Sequence, residues 1–223
     1  MIVVLLGPPG AGKGTQGARL GSAAGWHHLS TGDLLREHIR RGTGLGNDLR
    51  ASMDRGELAP DRLVVGIVRH ALSDLAPGAN VVFDGFPRTV AQAEGFSDVL
   101  DEMGGKVDLV VVLLADDDVL VERLAGRRSC PECGAVYNIY LDPPETTDRC
   151  DRCGHRGLLH RADDEPETVR NRLRVYHLKT EPLIRYYENR DTALEQVDAS
   201  QSVEQTQEAL RAVVTRVAGK GTA

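Results

Sequence analysis

Apolar and polar positions alternate along this chain in two registers. Near-continuous apolar runs at 2–6, 80–83 and 107–114, with fainter ones at 26–29 and 195–197, predict strands buried on both faces. Between them apolar residues recur every three or four positions, which predicts helices over 15–24, 34–41, 45–55, 62–75, 91–103, 119–126, 166–189 and 203–217. Strands and helices in this order predict an α/β fold: a five-stranded parallel sheet between two layers of helices. Two stretches break the rhythm. Residues 30–60 read as a small helical insert, and residues 127–164, with Pro143-Pro144 and many turn formers, as a short β-rich excursion. The last residues, 219–223, are expected to fray.

The length of 223 residues suits one domain with inserted subdomains. A net charge of −6 with mixed signs and no Lys/Arg block counts against nucleic acid or an anionic membrane as partner. The five-residue N-terminal apolar run ends at Gly7 and has no basic flank, too short for a signal peptide or a membrane span. A cytoplasmic protein is expected.

The first apolar run leads into Gly7-Pro8-Pro9-Gly10-Ala11-Gly12-Lys13-Gly14-Thr15 and then a helical stretch. Glycines here let backbone N–H groups curl around phosphate oxygens. The helix N-terminus adds partial positive charge, and Lys13 adds a full one. Gly10, Ala11, Gly12, Lys13, Gly14 and Thr15 are therefore candidates to bind a nucleoside triphosphate. The general pattern puts Ser or Thr directly after the lysine as a Mg²⁺ ligand. Here Gly14 takes that place, which argues against GTPases and motor-type ATPases. Asp84 ends the apolar run 80–83, where a carboxylate can hold Mg²⁺ through water; capping the loop before Gly85 is its plainer use.

Cys130, Cys133, Cys150 and Cys153 form C-x₂-C-x₁₆-C-x₂-C, and each pair is followed by a glycine, Gly134 or Gly154. That spacing predicts two knuckles presenting four thiolates to one tetrahedral ion, zinc foremost. Paired disulfides would fit the count but not a reducing compartment. Four protein sulfurs leave no open coordination position, so the metal is structural. His27, His28, His155 and His160 have no patterned partner, and all seven histidines read as non-catalytic.

Four further motifs complete a recognisable order: Leu29-Ser30-Thr31-Gly32-Asp33-Leu34-Leu35-Arg36, then Asp84-Gly85-Phe86-Pro87-Arg88, then Gly126-Arg127-Arg128 before the cysteines and Arg161-Ala162-Asp163-Asp164 after them. Glu167-Thr168-Val169-Arg170-Asn171-Arg172-Leu173 opens a long helix. From residue 2 to about 217 the chain resembles the adenylate kinases, in the long form whose lid carries a zinc knuckle.

The resemblance implies phosphoryl transfer from Mg-ATP to AMP, giving two ADP, by a monomer with a P-loop core (1–29, 61–126 and 165–223), an AMP-binding insert (30–60) and a zinc lid (127–164). It implies that Arg36 and Arg88 hold the AMP phosphate, that Arg123 and Arg127 face the ATP phosphates, and that Arg161 and Arg172 reach across the transferring group. Guanidinium suits that task because it grips phosphate oxygens bidentately and keeps its charge. Taken singly, each arginine would pass for a solvated surface residue. Arg128, Arg170 and Arg174 lack motif support and read as structural. By the same resemblance Thr31 and Gln92 read the adenine of AMP, although Ser30-x-x-Asp33 and Thr89-x-x-Gln92 also fit helix capping boxes. Glu57, Leu58, Ala59, Gly85, Phe86 and Pro87 would line the AMP pocket; Val136, Tyr137 and Gln201 would border the ATP base and ribose. A kinase for another monophosphate, an AMP kinase using GTP, or a P-loop regulator with a zinc-ribbon docking module remain alternatives.

Overall fold

A computed structural model describes residues 1–220, apart from the side chains at 23, 24, 45, 47, 48 and 220. The chain runs β1 (Ile2–Leu6), α1 (Lys13–Ala24), β2 (His27–Ser30), α2 (Thr31–Arg40), α3 (Gly44–Asp54), α4 (Asp61–Ser73) and β3 (Val81–Asp84). It continues through α5 (Val90–Glu102), β4 (Leu109–Leu114) and α6 (Asp117–Gly126) into a two-stranded hairpin, β5 (Arg127–Ser129) and β6 (Val136–Asn138). It returns by α7 (Pro166–Val175), α8 (Pro182–Glu188), β7 (Ala193–Asp198) and α9 (Val203–Lys220). The main sheet has the order β2-β3-β1-β4-β7, parallel throughout. No helix among the described residues is long and apolar enough to cross a membrane.

The continuous apolar runs are explained by burial on both faces. Val4 and Leu6 of β1, Val81 and Phe83 of β3, and Val110 and Val112 of β4 pack under α4, α5 and α8. Val3 and Leu5, Val82, and Leu109, Val111 and Leu113 face the other way, under α1, α6, α7 and α9. Phe83, Phe86 and Phe96 cluster in the first layer with ring centroids 4.9–6.0 Å apart; Phe96 meets both others edge to face, and Phe83 and Phe86 are tilted at 50°. Each such side chain contributes roughly 1.5–3 kcal/mol by leaving water.

Two expectations are corrected. The single helix expected over 166–189 is two helices joined by a π-helical turn at Tyr176–Thr180, where the Glu181 N–H reaches back to the Tyr176 carbonyl at 2.9 Å. Pro182 is the cause: it lacks an N–H and its ring crowds the carbonyl four residues back, so the chain widens by one residue before it. At the C-terminus, Gly219 and Lys220 remain helical, while residues 221–223 lie outside the described residues.

β1 is central, with its neighbours β3 and β4 on opposite sides, and chain connections leave it in both directions. In such sheets the crevice at the carboxyl ends of the strands at this switch point receives ligands. Leu5 pairs with Asp84, and Leu6 with Val112. The glycine-rich loop and the Asp84–Arg88 turn therefore leave the sheet side by side.

Candidate active site

The loop after β1 needs its glycines. Gly12 caps α1 in the left-handed conformation (φ 86°), which a side chain would strain, and it aims the first N–H groups of α1 into the loop. Gly14 is needed for closeness: a Cβ there would stand 3.2 Å from an Asp84 carboxylate oxygen. The position where other P-loops carry a hydroxyl thus lies open beside Asp84. Lys13 curls back, donating from Nζ to the carbonyls of Gly7 (2.7 Å) and Pro8 (2.8 Å).

Burial lowers the Lys13 pKa to about 8; Asp84 pulls it up, while Arg88, Arg172 and Arg127 push it further down. Burial likewise lowers Arg88, with Arg172 and Arg36 repelling it, and brings Arg161 to about 9, with Arg36 and Arg127 repelling it. These mutual repulsions place Lys13, Arg36, Arg88, Arg127, Arg161 and Arg172 around one space. Four carboxylates answer them. Asp164, fully buried, takes Arg127 in a two-toothed bridge (2.7 and 2.5 Å) and also Arg172 (2.9 Å). Asp163 pairs with Arg172 at 3.0 Å, and Asp33 with Arg36 at 2.5 Å. Asp84 is the fourth, beside Lys13. Six cations against four anions leave the space with surplus positive charge.

The other expected residues distribute around this centre. Arg88 Nε and the Thr31 hydroxyl both donate to the Gly85 carbonyl, at 2.8 and 2.7 Å, and Phe86-Pro87, joined by a cis bond, packs beneath. Arg161 donates to the Ser129 hydroxyl at 2.7 Å, across the base of the hairpin. Both capping boxes are present in part: Ser30 accepts from the Asp33 N–H and Thr89 from the Gln92 N–H. Gln92 is 1% exposed; its Oε1 accepts from the Arg88 N–H (2.8 Å) and its Nε2 donates to Asp61 (2.9 Å). Ala59 is buried and Leu58 half-buried, whereas Glu57 is exposed and paired with Arg55.

Arg123 stands aside, donating to the carbonyls of Ala199, Ser200 and Gln201 after β7. The Gln201 side chain turns to Asp198 instead (2.9 Å). Val136 is exposed. Tyr137 points its hydroxyl into the cysteine knuckle, accepting from the Asp151 N–H at 2.8 Å and lying 3.4 Å from the Cys150 sulfur, so only its ring is left to border a ligand. Arg128 donates to the carbonyls of Ala125 and Arg127.

The four sulfurs lie within 4.8 Å of one another, and none forms a disulfide. The Cys130–Cys153 and Cys133–Cys150 separations are 3.6 and 3.5 Å. Four thiolates about 2.3 Å from a tetrahedral ion would be about 3.8 Å apart, so the set fits such an ion. The two knuckles repeat one pattern: Gly134 N–H to Cys130 C=O and Cys130 N–H to Ala135 C=O, then Gly154 to Cys150 and Cys150 to His155.

Sequence reasoning missed four carboxylates as site members. Asp33, which pairs with Arg36, reads in the sequence only as part of a capping box. Asp163 and Asp164 had a signal, two adjacent acids in a stretch bordered by arginines. Asp61 had none, because its partners lie about thirty residues away.

A glycine loop at a helix N-terminus, on the carboxyl edge of a parallel sheet and facing surplus arginine charge, defines a P-loop protein that handles nucleotide phosphates. The family model described as adenylate kinase matches residues 5–192. The chain is 42% identical over 217 residues to an adenylate kinase of Archaeoglobus fulgidus, covering 97% of this chain and 99% of that one. It is 44% identical over 216 residues to that of Thermodesulfovibrio yellowstonii (97% and 100% covered), and 46% identical over 188 residues to that of Nitrosococcus oceani (84% and 87%). The chain belongs to the adenylate kinase family.

Proposed function

We infer that this protein transfers the terminal phosphoryl group of Mg-ATP to AMP, reversibly, giving two ADP. The observation that carries the reading is the gathering of Lys13, Arg36, Arg88, Arg127, Arg161 and Arg172, half-buried and close enough to repel one another, with too few carboxylates to balance them. Like charges gathered away from water are costly unless a polyanion joins them. Two nucleotides meeting phosphate to phosphate supply that anion. The incoming nucleophile is itself a phosphate oxygen, so no general base is required; positioning, neutralisation and exclusion of water suffice.

In this reading the N–H groups of Gly10, Ala11, Gly12, Lys13, Gly14 and Thr15 cradle the ATP phosphates, and Lys13 exchanges its two loop carbonyls for phosphate oxygens. Asp84 would hold Mg²⁺ through water in the space that Gly14 leaves open; bound with ATP, the ion neutralises phosphate charge. Arg36 and Arg88 take the AMP phosphate, Arg127 the ATP phosphates, and Arg161 and Arg172 the group in transit. Asp163 and Asp164 keep Arg127 and Arg172 extended until phosphate arrives. Arg123, expected at the ATP phosphates, is held instead on the carbonyls of Ala199, Ser200 and Gln201; in this reading it borders the ATP base and ribose with the Gln201 backbone, Val136 and the Tyr137 ring. Thr31 and Gln92 read the AMP base above Leu58, Ala59, Gly85, Phe86 and Pro87, with Glu57 contributing backbone only. Residues 30–60 form the AMP-binding insert and 127–164 the lid, on a core of the remaining residues. Zinc on Cys130, Cys133, Cys150 and Cys153 holds the lid without entering the chemistry. The protein works as a cytoplasmic monomer.

A nucleotide panel tests the reading: purified protein, each triphosphate with each monophosphate, products separated by chromatography. ATP with AMP should turn over fastest and yield two ADP per event. Faster turnover of another monophosphate would overturn the assignment of AMP, and faster turnover with GTP that of the donor.

A further inference from the structure

We propose that Asp61 is a positioning residue that fixes the orientation of the Gln92 amide and thereby decides which purine edge the monophosphate site accepts. The proposal rests on the reading of Gln92 as the residue that meets the base. A primary amide has two orientations of nearly equal shape, differing only in where oxygen and nitrogen lie. Gln92, 1% exposed, is held in one of them from both ends. Its Oε1 accepts from the Arg88 N–H at 2.8 Å, and its Nε2 donates to Asp61 Oδ1 at 2.9 Å.

Asp61 is held in turn. The same Oδ1 accepts from the Thr89 hydroxyl at 2.9 Å, and Asp61 occupies the first turn of α4, fixed by that helix rather than by a loop. An ionised carboxylate only accepts. Turning the Gln92 amide over would set its oxygen against Asp61 and its N–H₂ against the Arg88 N–H, two contacts between like partners at once. One orientation survives.

In that orientation Gln92 keeps one further N–H and one further oxygen lone pair beyond those two bonds, and in this proposal it is these that meet the base. Adenine presents an acceptor at N1 beside a donor at N6, which matches that pair. Hypoxanthine presents a donor at N1 beside an acceptor at O6, which matches only the reversed amide. The constraint from Asp61 is therefore a selection for 6-amino over 6-oxo purine monophosphates. It comes from a residue that touches neither the base nor the phosphates.

The test compares AMP with inosine monophosphate as acceptors in the intact protein. Asp61→Ala should raise KM for AMP about tenfold, the effect of one buried hydrogen bond, with kcat for AMP little changed. The ratio of kcat/KM for AMP over inosine monophosphate should narrow by a similar factor. Asp61→Asn, which can still turn an oxygen to Thr89 and Gln92, should restore most of both. Asp61→Ser keeps a short polar group at the start of α4 but cannot reach Gln92. It should behave like the alanine variant, and it carries the test should Asp61→Ala fold poorly. A ratio unchanged in the folded alanine or serine variant overturns the proposal, whatever happens to melting temperature. Gln92→Met separates the two levels. If it alters the ratio while the Asp61 variants do not, the positioning role falls and the base-reading role stands; if it too leaves the ratio unchanged, the base-reading role falls with it.

Discussion

Residues 30–60 send Leu35, Leu49 and Ala59 into the same buried layer as β1, β3 and β4, so this helical excursion shares the core of the protein. Across residues 127–164 only Cys130, Cys150 and Asp164 are buried among the described residues, while Val136, Ile139, Tyr140, Leu141 and Leu159 are exposed. The second excursion has no apolar interior of its own. It is held by four sulfurs at its far part and by the Asp164 bridge to Arg127 and Arg172 at its root. A segment of under forty residues cannot bury enough surface to stay folded alone, and a metal or ion-pair staple is the usual remedy. The two excursions therefore stand on different physics. One rises and falls with the global fold, and the other has a stability of its own that can be removed separately.

The largest expected effect comes from taking out one of the four clustered sulfurs. Structural zinc contributes ~10–16 kcal/mol to isolated finger peptides, and here that energy would act on the hairpin region alone. In Cys150→Ser, or after chelation, amides of 127–164 should lose their protection from hydrogen exchange while those of 30–60 keep theirs. Equal loss in both regions would show that the excursions are one cooperative unit. Next is the root. Asp164→Ala leaves Arg127 and Arg172 without their shared carboxylate, and breaking a buried pair costs about 3–5 kcal/mol. Urea denaturation should register less than that globally, with the remainder appearing as faster exchange in 127–164.

Leu49→Ala should cost about 2–5 kcal/mol of global stability because Leu49 is 3% exposed within the shared core. Leu141→Ala, at an exposed position within 127–164, should stay within about 0.5 kcal/mol. Similar values for the two would erase the contrast. The smallest effect is expected at the cap of α3, where Thr43 Oγ1 accepts from the Gly46 N–H at 3.0 Å. Thr43→Ala should cost ~1 kcal/mol, read as a shift of the global denaturation midpoint without a change in slope. A local opening confined to 30–60 would instead mean that the helical excursion, too, unfolds by itself.

Nearest-neighbour patterns on the chain carried much of this. The loop from Gly7 to Thr15 and the cysteine knuckles were legible because each is a short run whose residues meet one another by local turns; alternation and helical period gave the sheet and most helices, to within a residue or two at many ends. The break at Tyr176–Thr180 was hidden because Pro182 also fits the first turn of a new helix, and nothing local says that the turn before it widens. Residue roles were harder. Arg127 and Arg172 could be named from motifs, but their hold on Asp164 spans 37 and 8 positions, and the two lines meet only in the fold. Tyr137 shows the opposite failure: its place in the hairpin was readable, while the direction of its hydroxyl, toward Cys150, depended on how the two knuckles close on each other.

By itself, then, the sequence determined the glycine-rich loop, the four-cysteine set and the alternation that builds a parallel sheet, since each depends on contacts between residues close along the chain or on a face that burial dictates. The tertiary structure alone decided which charges share a space, which carboxylates restrain which arginines, and how Asp61, 31 residues before Gln92, sets the direction of an amide. Electrostatic and hydrogen-bond partners act over distances of a few ångströms in space and have no period along the chain, so only folding brings them into view.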